Sequence, residues 1–165
     1  PWGWGIDISS GILNLNDSYI RSDRGHAVFS NGTGNVYVDN MDIETWLASN
    51  LAGLAAHWGG GIEVAGLEFW GTGHALRAAG TDAYIDAASG VNHYCGHSAT
   101  PTQVYTSDGG KVDANSSYWP TSTVINHISG GSISWTPYSG SASCDGSAPK
   151  ASGMTQGNPP QARAG

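Results

Sequence analysis

The sequence predicts an all-β solenoid, a single domain in which short strands wind into stacked coils. Apolar and polar residues alternate over short runs, which is typical of strands. These runs recur along the chain at spacings of 23, 26, 21, 29 and 21 residues. The composition agrees, because only 12% of the 165 residues are charged and 25 are glycine. A period of this length indicates units that bury their apolar sides only by stacking on neighbours.

The clearest repeat unit runs from Gly34 to Ile43. Val36 and Val38 alternate with polar residues, an Asp-Asn pair interrupts the run, and alternation resumes at Met41. This pattern predicts a strand, a sharp bend and a second strand. The first predicted inward column consists of Leu13, Val36, Ile62, Ala83, Val112 and Ile133. The second consists of Leu15, Val38, Val64, Ile85, Ala114 and Trp135.

A third short strand precedes each unit and is first seen at His26-Ala27-Val28. Its predicted counterparts begin at Leu54, His74, Gln103 and Thr123. Three strands per turn predict a parallel β-helix of about six coils over residues 1–138. Residues 1–10 are expected to form a cap or a preceding coil. Residues 139–165, rich in Ser, Gly and Pro, are expected to form a tail or wrapping segment.

In this repeat architecture the chain resembles the right-handed parallel β-helix proteins of the pectate-lyase-like superfamily, over roughly residues 6–138. The resemblance implies the fold, but no catalytic motif accompanies it. The segments around His26 and His74 match only the Gly-His step of the β-helical polygalacturonases, and no Arg-x-Lys pair occurs. Arg77 and Lys111 stand in no recognisable lyase motif. The resemblance therefore implies no particular activity.

The predicted outward column between the two inward ones combines tyrosines with carboxylates. It contains Asn14, Tyr37, Glu63, Tyr84, Asp113 and Ser134. Tyrosine rings stack on sugar faces, and carboxylates accept hydrogen bonds from hydroxyls. We therefore predict a module that binds extended carbohydrate through Tyr37, Glu63, Tyr84 and Asp113. An ordinary solvated sheet face has a similar composition, so that alternative stays open.

Two other functions stay open as well. The acids Glu63, Asp86 and Asp113 are candidate catalytic groups of a polysaccharide hydrolase or lyase, since inverting hydrolysis needs two carboxyls about 6.5–9.5 Å apart. Alternatively, the protein is a self-assembling structural module or part of a longer chain. Its contact surface would be an outward apolar ladder, unless residues 139–165 cover it. The predicted ladder consists of Val28, Ala56, Leu76, Tyr105 and Ile125.

The two cysteines, Cys95 and Cys144, are predicted to form a disulfide because they fall in comparable loops two coils apart. The alternative is a zinc site formed by His93, Cys95 and His97, but their spacing matches no common zinc motif. A Cys-His nucleophile is less favoured, because no acyl-transfer sequence surrounds the pair. No cofactor is expected.

Glycosylation sequons occur at Asn16, Asn31 and Asn115, and together with the low lysine content and the cysteine pair they predict a secreted glycoprotein. The net charge of −7, from 13 acids and 6 basic residues, argues against nucleic acid and anionic membranes as partners. No apolar run is long enough to insert into a membrane. Because the chain opens at Pro1 without a signal peptide, we expect a processed form or part of a longer protein.

Overall fold

The computed structural model describes residues 5–46, 51–72, 74–89, 92–94, 104–115, 117–118 and 126–135. Over these ranges the chain forms twelve strands that join in one parallel sheet, and no helix occurs in them. The sheet winds into a parallel solenoid, which confirms the predicted all-β class. The strands are β1 (Ile6–Ser22), β2 (Val28–Trp46), β3 (Ala52–His57), β4 (Gly61–Thr72), β5 (His74–Ala79), β6 (Tyr84–Ser89), β7 (Asn92–Tyr94), β8 (Val104–Ser107), β9 (Lys111–Asp113), β10 (Ser117–Tyr118), β11 (Asn126–Ser129) and β12 (Ser132–Ser134).

Over the described ranges the solenoid makes about four turns, so the prediction of about six was wrong. Strands β1, β2 and β4 are long because each continues round a bend into the next face. Beyond Tyr94, the described strands shorten to between two and four residues. The recurring alternation that suggested about six coils therefore corresponds to fewer complete turns in the part of the chain that the structure describes.

Three stacked residues in left-handed backbone conformation form the bend between the first two faces. They are Asp17 (φ 46°), Asn40 (φ 50°) and Gly66 (φ 70°). These residue types tolerate positive φ better than others do. The side-chain amide of Asn40 donates a hydrogen bond to Oδ1 of Asp17 at 2.5 Å, so the bend is tied from one coil to the next.

The inward columns form the core largely as predicted. Val36 and Ile62 are paired, and both are at most 1% exposed. In the next coil, however, Ile85 and not Ala83 pairs with Ile62 and Val112. A shift of two residues keeps the same side chains facing inward, so the alternating pattern does not reveal it. At the far end Trp135, predicted to face inward, is 38% exposed.

The predicted apolar ladder is not an outward column. Val28, Ala56 and Leu76 are completely buried in the core. Val28 pairs with Leu54 and not with Ala56, so the predicted register was shifted. The outward column next to it contains Phe29, Ala55, Arg77 and Tyr105. Ile125 lies outside the described residues. The ladder therefore offers no surface through its buried members, and self-assembly stays a prediction.

Candidate functional site

Four polar residues stand one above another on the outward side of β2, β4, β6 and β9. Tyr37 pairs with Glu63, Glu63 with Asp86, and Asp86 with Asp113. Neighbouring members are one strand spacing apart, about 4.8 Å. We call these four residues the acidic column. Register thus brings all three predicted catalytic acids together, and Asp86 occupies the place that the sequence analysis gave to Tyr84.

Tyr84 lies beside the acidic column and reaches across to it. It pairs with Gly61, and a side chain at Gly61 would overlap the Tyr84 ring, so this glycine lets the ring lie against the sheet. The phenol oxygen of Tyr84 is 3.3 Å from Oδ1 of Asn35 and donates to Oε1 of Glu63 at 3.5 Å. Burial, followed by the Glu63 charge, raises the pKa of Tyr84. The phenol therefore remains a hydrogen-bond donor.

Asp86 and Asp113 each use one carboxylate oxygen to shape the backbone. Oδ1 of Asp86 accepts a hydrogen bond from the Ala88 amide at 3.1 Å. Oδ1 of Asp113 accepts from the backbone amide of Asn115 at 3.0 Å and from its side-chain nitrogen at 2.6 Å. Such bonds are the turn-forming role of Asp. The Oδ2 atoms of Asp86 and Asp113 take no part in these turn-forming hydrogen bonds. Within the described ranges Glu63 forms no such turn bond, and its Oε1 accepts the hydrogen bond from Tyr84.

A second polar site lies beyond the bend, on the face formed by the C-terminal parts of β1, β2 and β4. Asp42 pairs with Tyr19 on one side and with Glu68 on the other. Burial and the neighbouring Glu68 charge raise the pKa of Asp42. Glu68 accepts a hydrogen bond at 2.6 Å from the indole nitrogen of Trp70, which is 1% exposed. We call these two acids the Asp42–Glu68 pair.

A buried carboxylate, Glu44, organises the rest of this face. It is 6% exposed and accepts a hydrogen bond from the phenol of Tyr19. Its other oxygen is 3.4 Å from a guanidinium nitrogen of Arg21, which also pairs with Asp23. Burial, and then the bond to Glu44, raises the pKa of Tyr19 to about 12. The Tyr19 phenol is therefore a fixed, protonated donor beside Asp42.

Chemically, the Asp42–Glu68 pair combines a carboxyl whose pKa is raised with an acid that accepts a hydrogen bond from an indole. A raised pKa makes a carboxyl better suited to donate a proton in general acid catalysis. Both acids were expected beyond the bend near the binding face, but the predicted catalytic candidates were all taken from the strand before the bend. The alternation that resumes at Met41 carries the signal, since it places Asp42 and its equivalents on the outward side.

The remaining predicted sites are only partly described. His93 lies in β7 and pairs with Glu68 by backbone register, but Cys95, His97 and Cys144 lie outside the described residues, so the disulfide and the zinc site stay predictions. Among the residues that are described, no group of three His, Cys, Asp or Glu is placed to hold a metal ion.

The three sequon asparagines differ in exposure, although glycosylation itself stays a prediction. Asn16 is exposed, and Asn31 is half-buried. The side-chain nitrogen of Asn115 is bonded to Asp113 and also to Ser134 at 2.9 Å. A glycan on Asn115 would have to replace these bonds, so Asn16 is the most accessible acceptor of the three.

The described part of the chain has no helix long and apolar enough to cross a membrane. Comparison with protein-family models, with curated proteins and with solved structures finds no match for this chain. The acidic column and the Asp42–Glu68 pair are therefore the features that bear on function.

Proposed function

We propose that this protein is a secreted, right-handed parallel β-helix that binds an extended carbohydrate along the acidic column and Tyr84. The right-handed sense is the one that connections between parallel strands adopt as a rule. The observation that carries the proposal is the alignment of Tyr37 with three carboxylates on successive strands, beside a tyrosine hydrogen-bonded to one of them. An acidic protein of this kind suits a ligand rich in hydroxyl donors.

Rigidity of the face supports binding. Tyr37, Glu63 and Asp113 project from hydrogen-bonded strands, and Tyr84 is held by Glu63 and lies near Asn35. Groups that are already ordered lose little conformational entropy when a ligand binds. The repeat of about 4.8 Å along the column also presents acceptors at regular intervals to a ligand that is itself a regular chain. An extended polymer therefore fits this face better than a compact small molecule.

Tyr37→Ala is expected to weaken binding of the responsive polysaccharide at least about tenfold, because it removes an exposed ring that stacks on sugar. Tyr37 is 37% exposed and heads the acidic column. Binding would be measured by calorimetry after a polysaccharide screen. Tyr84→Ala should weaken binding as well, since it removes a ring and the phenol bonded to Glu63.

Trp58→Ala is the matched control, because Trp58 is 66% exposed but lies in the turn after β3 and not in the acidic column. It should leave the affinity unchanged if binding uses the column. Equal losses in the Trp58 and Tyr37 variants would indicate nonspecific aromatic contact and contradict the proposal. The absence of binding to any polysaccharide in the screen would also contradict it.

The raised pKa of Asp42 favours a second candidate function, hydrolysis of a polysaccharide at the Asp42–Glu68 pair. Asp42 and Glu68 are paired on adjacent strands, which lie about 4.8 Å apart, and this spacing allows the 5–5.5 Å carboxyl separation of a retaining hydrolase. Asp42 would then donate a proton to the leaving oxygen, while Glu68 would act as the nucleophile. Glu68 would form a covalent bond to the sugar; water, giving its proton to Asp42, would then break that bond, release the new reducing end and restore both acids.

If the protein is a hydrolase, Asp42→Asn and Glu68→Gln should each reduce the release of reducing ends at least about a hundredfold. Glu63→Gln in the acidic column is the control and should alter binding without abolishing the reaction. Activity should fall as the pH rises through the raised pKa of Asp42, because the proton donor is then lost. Product release that survives both substitutions would exclude this site.

A further inference from the structure

We propose that Asn31 is a site of spontaneous deamidation, at which the backbone nitrogen of Gly32 displaces the side-chain amide nitrogen. The product is aspartate or isoaspartate at position 31. Asn31-Gly32 is the only Asn-Gly step in the sequence. Neither residue belongs to the acidic column or to the Asp42–Glu68 pair, so this inference does not depend on carbohydrate binding.

The reaction has two steps. The Gly32 nitrogen loses its proton to the solvent and bonds to Cγ of Asn31, while the bond from Cγ to Nδ2 breaks and Nδ2 leaves as ammonia after taking up a proton. Water then opens the resulting succinimide ring by breaking one of its two bonds between nitrogen and a carbonyl carbon. Opening at Cγ gives aspartate, and opening at the main-chain carbonyl carbon gives isoaspartate. Glycine favours the first step because it has no Cβ atom to obstruct the attack.

Both residues lie in a β-bulge of β2. They stand together opposite the single residue Ser9 of β1, where the register between the two strands shifts. The flanking pairs are Ile8 with Ser30 and Ser10 with Thr33. Gly32 has φ 61° and pairs with no residue of β3 or β4 either. Since a bulge disrupts the ladder locally, the backbone at Gly32 can approach the Asn31 side chain while the register on both sides is kept.

The Asn31 side chain is available for the reaction. It is half-buried, and no hydrogen bond from a described residue holds its amide. Asn35, four positions later in the same strand, differs on both counts: its Oδ1 is 3.3 Å from the phenol oxygen of Tyr84, and the branched side chain of Val36 follows it. Asn35 should therefore react much more slowly than Asn31.

Deamidation would also remove a predicted glycosylation site. Asn31 begins one of the three sequons, and a glycan would attach to the same Nδ2 atom that leaves as ammonia. A chain that has deamidated at position 31 therefore has no nitrogen there to accept a glycan. The two modifications of Asn31 exclude each other.

Peptide mapping by mass spectrometry tests the proposal on the folded full chain, made without glycosylation and incubated at neutral and at mildly alkaline pH. Aspartate and isoaspartate should accumulate at position 31 and much less at Asn35. The reaction at Asn31 should be faster at alkaline pH, because the attacking nitrogen must first be deprotonated. Circular dichroism would show that the chain stays folded during the incubation.

Asp108→Asn is the matched control, because it creates a second Asn-Gly step in a different backbone setting. Gly109 also has a positive φ, 89°, but its amide donates a hydrogen bond to the carbonyl oxygen of Gly130 at 2.8 Å. That bond must break before the Gly109 nitrogen can attack. Position 108 of this variant should therefore deamidate about two- to tenfold more slowly than Asn31 in the same molecule.

Two results would overturn the proposal. One is a rate at Asn31 of the folded parent chain that is no higher than the rate at Asn35. The other is deamidation at position 108 of the variant that is as fast as at Asn31, because the bulge would then have no effect on the rate. If Asp108→Asn does not fold, the parent chain unfolded in urea replaces it: a reaction at Asn31 more than about tenfold faster in urea would mean that the folded strand protects Asn31.

Discussion

Gly71→Ala is expected to lower the free energy of unfolding by about 3 kcal/mol or more. Gly71 has φ 138°, and a Cβ atom there would overlap the carbonyl oxygen of Thr45. The two residues are paired across β2 and β4, and Thr45 is completely buried. Because the obstacle is backbone within a hydrogen-bonded sheet, the strands must separate locally to admit the methyl group.

Urea unfolding followed by circular dichroism would measure this loss. Gly11→Ala is the matched control, because Gly11 also has a positive φ, 85°, but no heavy atom lies within 4 Å of the Cβ that alanine would add. The control should cost only the backbone strain, about 1–2 kcal/mol. Equal losses in the two variants would mean that the close approach of β2 and β4 at Gly71 contributes nothing.

The core of the middle coils could be predicted from the sequence because β2 and β4 share the same bend. The bend residues are Asn40 in β2 and Gly66 in β4. Counted in residues back from the bend, Val36 is equivalent to Ile62 and Val38 to Val64, and both pairs form as predicted. In the next coil the turn before β6 contains two positive φ residues, Gly80 and Asp82. Alternation has a period of two, so it could not distinguish Ile85 from Ala83 after this turn.

The face that carries the Asp42–Glu68 pair shows a different limit of prediction from the sequence. Alternation identifies Asp42, Glu68 and Trp70 as outward residues of their strands, but it does not report which outward residues are buried. Trp70 is 1% exposed and donates to Glu68, so the environment that raises the pKa of Asp42 depends on three-dimensional packing. The acidic column was predicted almost completely because its members lie before the bend, where the register is regular.

Acidification from neutral pH to pH 4 is expected to destabilise the solenoid by about 3 kcal/mol through His26 alone. The His26 side chain is nearly inaccessible, and its ring stacks on Phe29 with centroids 5.5 Å apart. Burial, followed by the charges of Arg77, His57 and His74, lowers the pKa of His26 to about 4, against a backbone hydrogen bond that raises it. Nδ1 accepts a hydrogen bond from the Ala52 amide at 2.9 Å, which requires an unprotonated nitrogen.

The sign of this pH effect on stability depends on whether the folded or the unfolded chain binds a proton at His26 at the higher pH. The unfolded chain takes up a proton at His26 near pH 6.5, whereas the folded chain resists it until about pH 4. The stabilisation is therefore complete above pH 6.5 and is lost as the pH falls. About 1.4 kcal/mol should be lost by pH 5.5, and about 3 kcal/mol by pH 4.

His26→Asn separates this effect from other titrations, because the amide oxygen can replace Nδ1 as the acceptor for the Ala52 amide but binds no proton in this range. Urea unfolding at about pH 7.5, 5.5 and 4.5 should show a shallower loss of stability in the variant than in the parent chain. All other ionisable groups are the same in both proteins, so their contributions cancel in the difference. His57, whose pKa burial and the Arg77 charge lower to about 4, also remains in both. Identical pH profiles would mean that His26 is protonated as easily in the folded chain as in the unfolded one, and its burial beside Ala52 and Phe29 would then not resist acid.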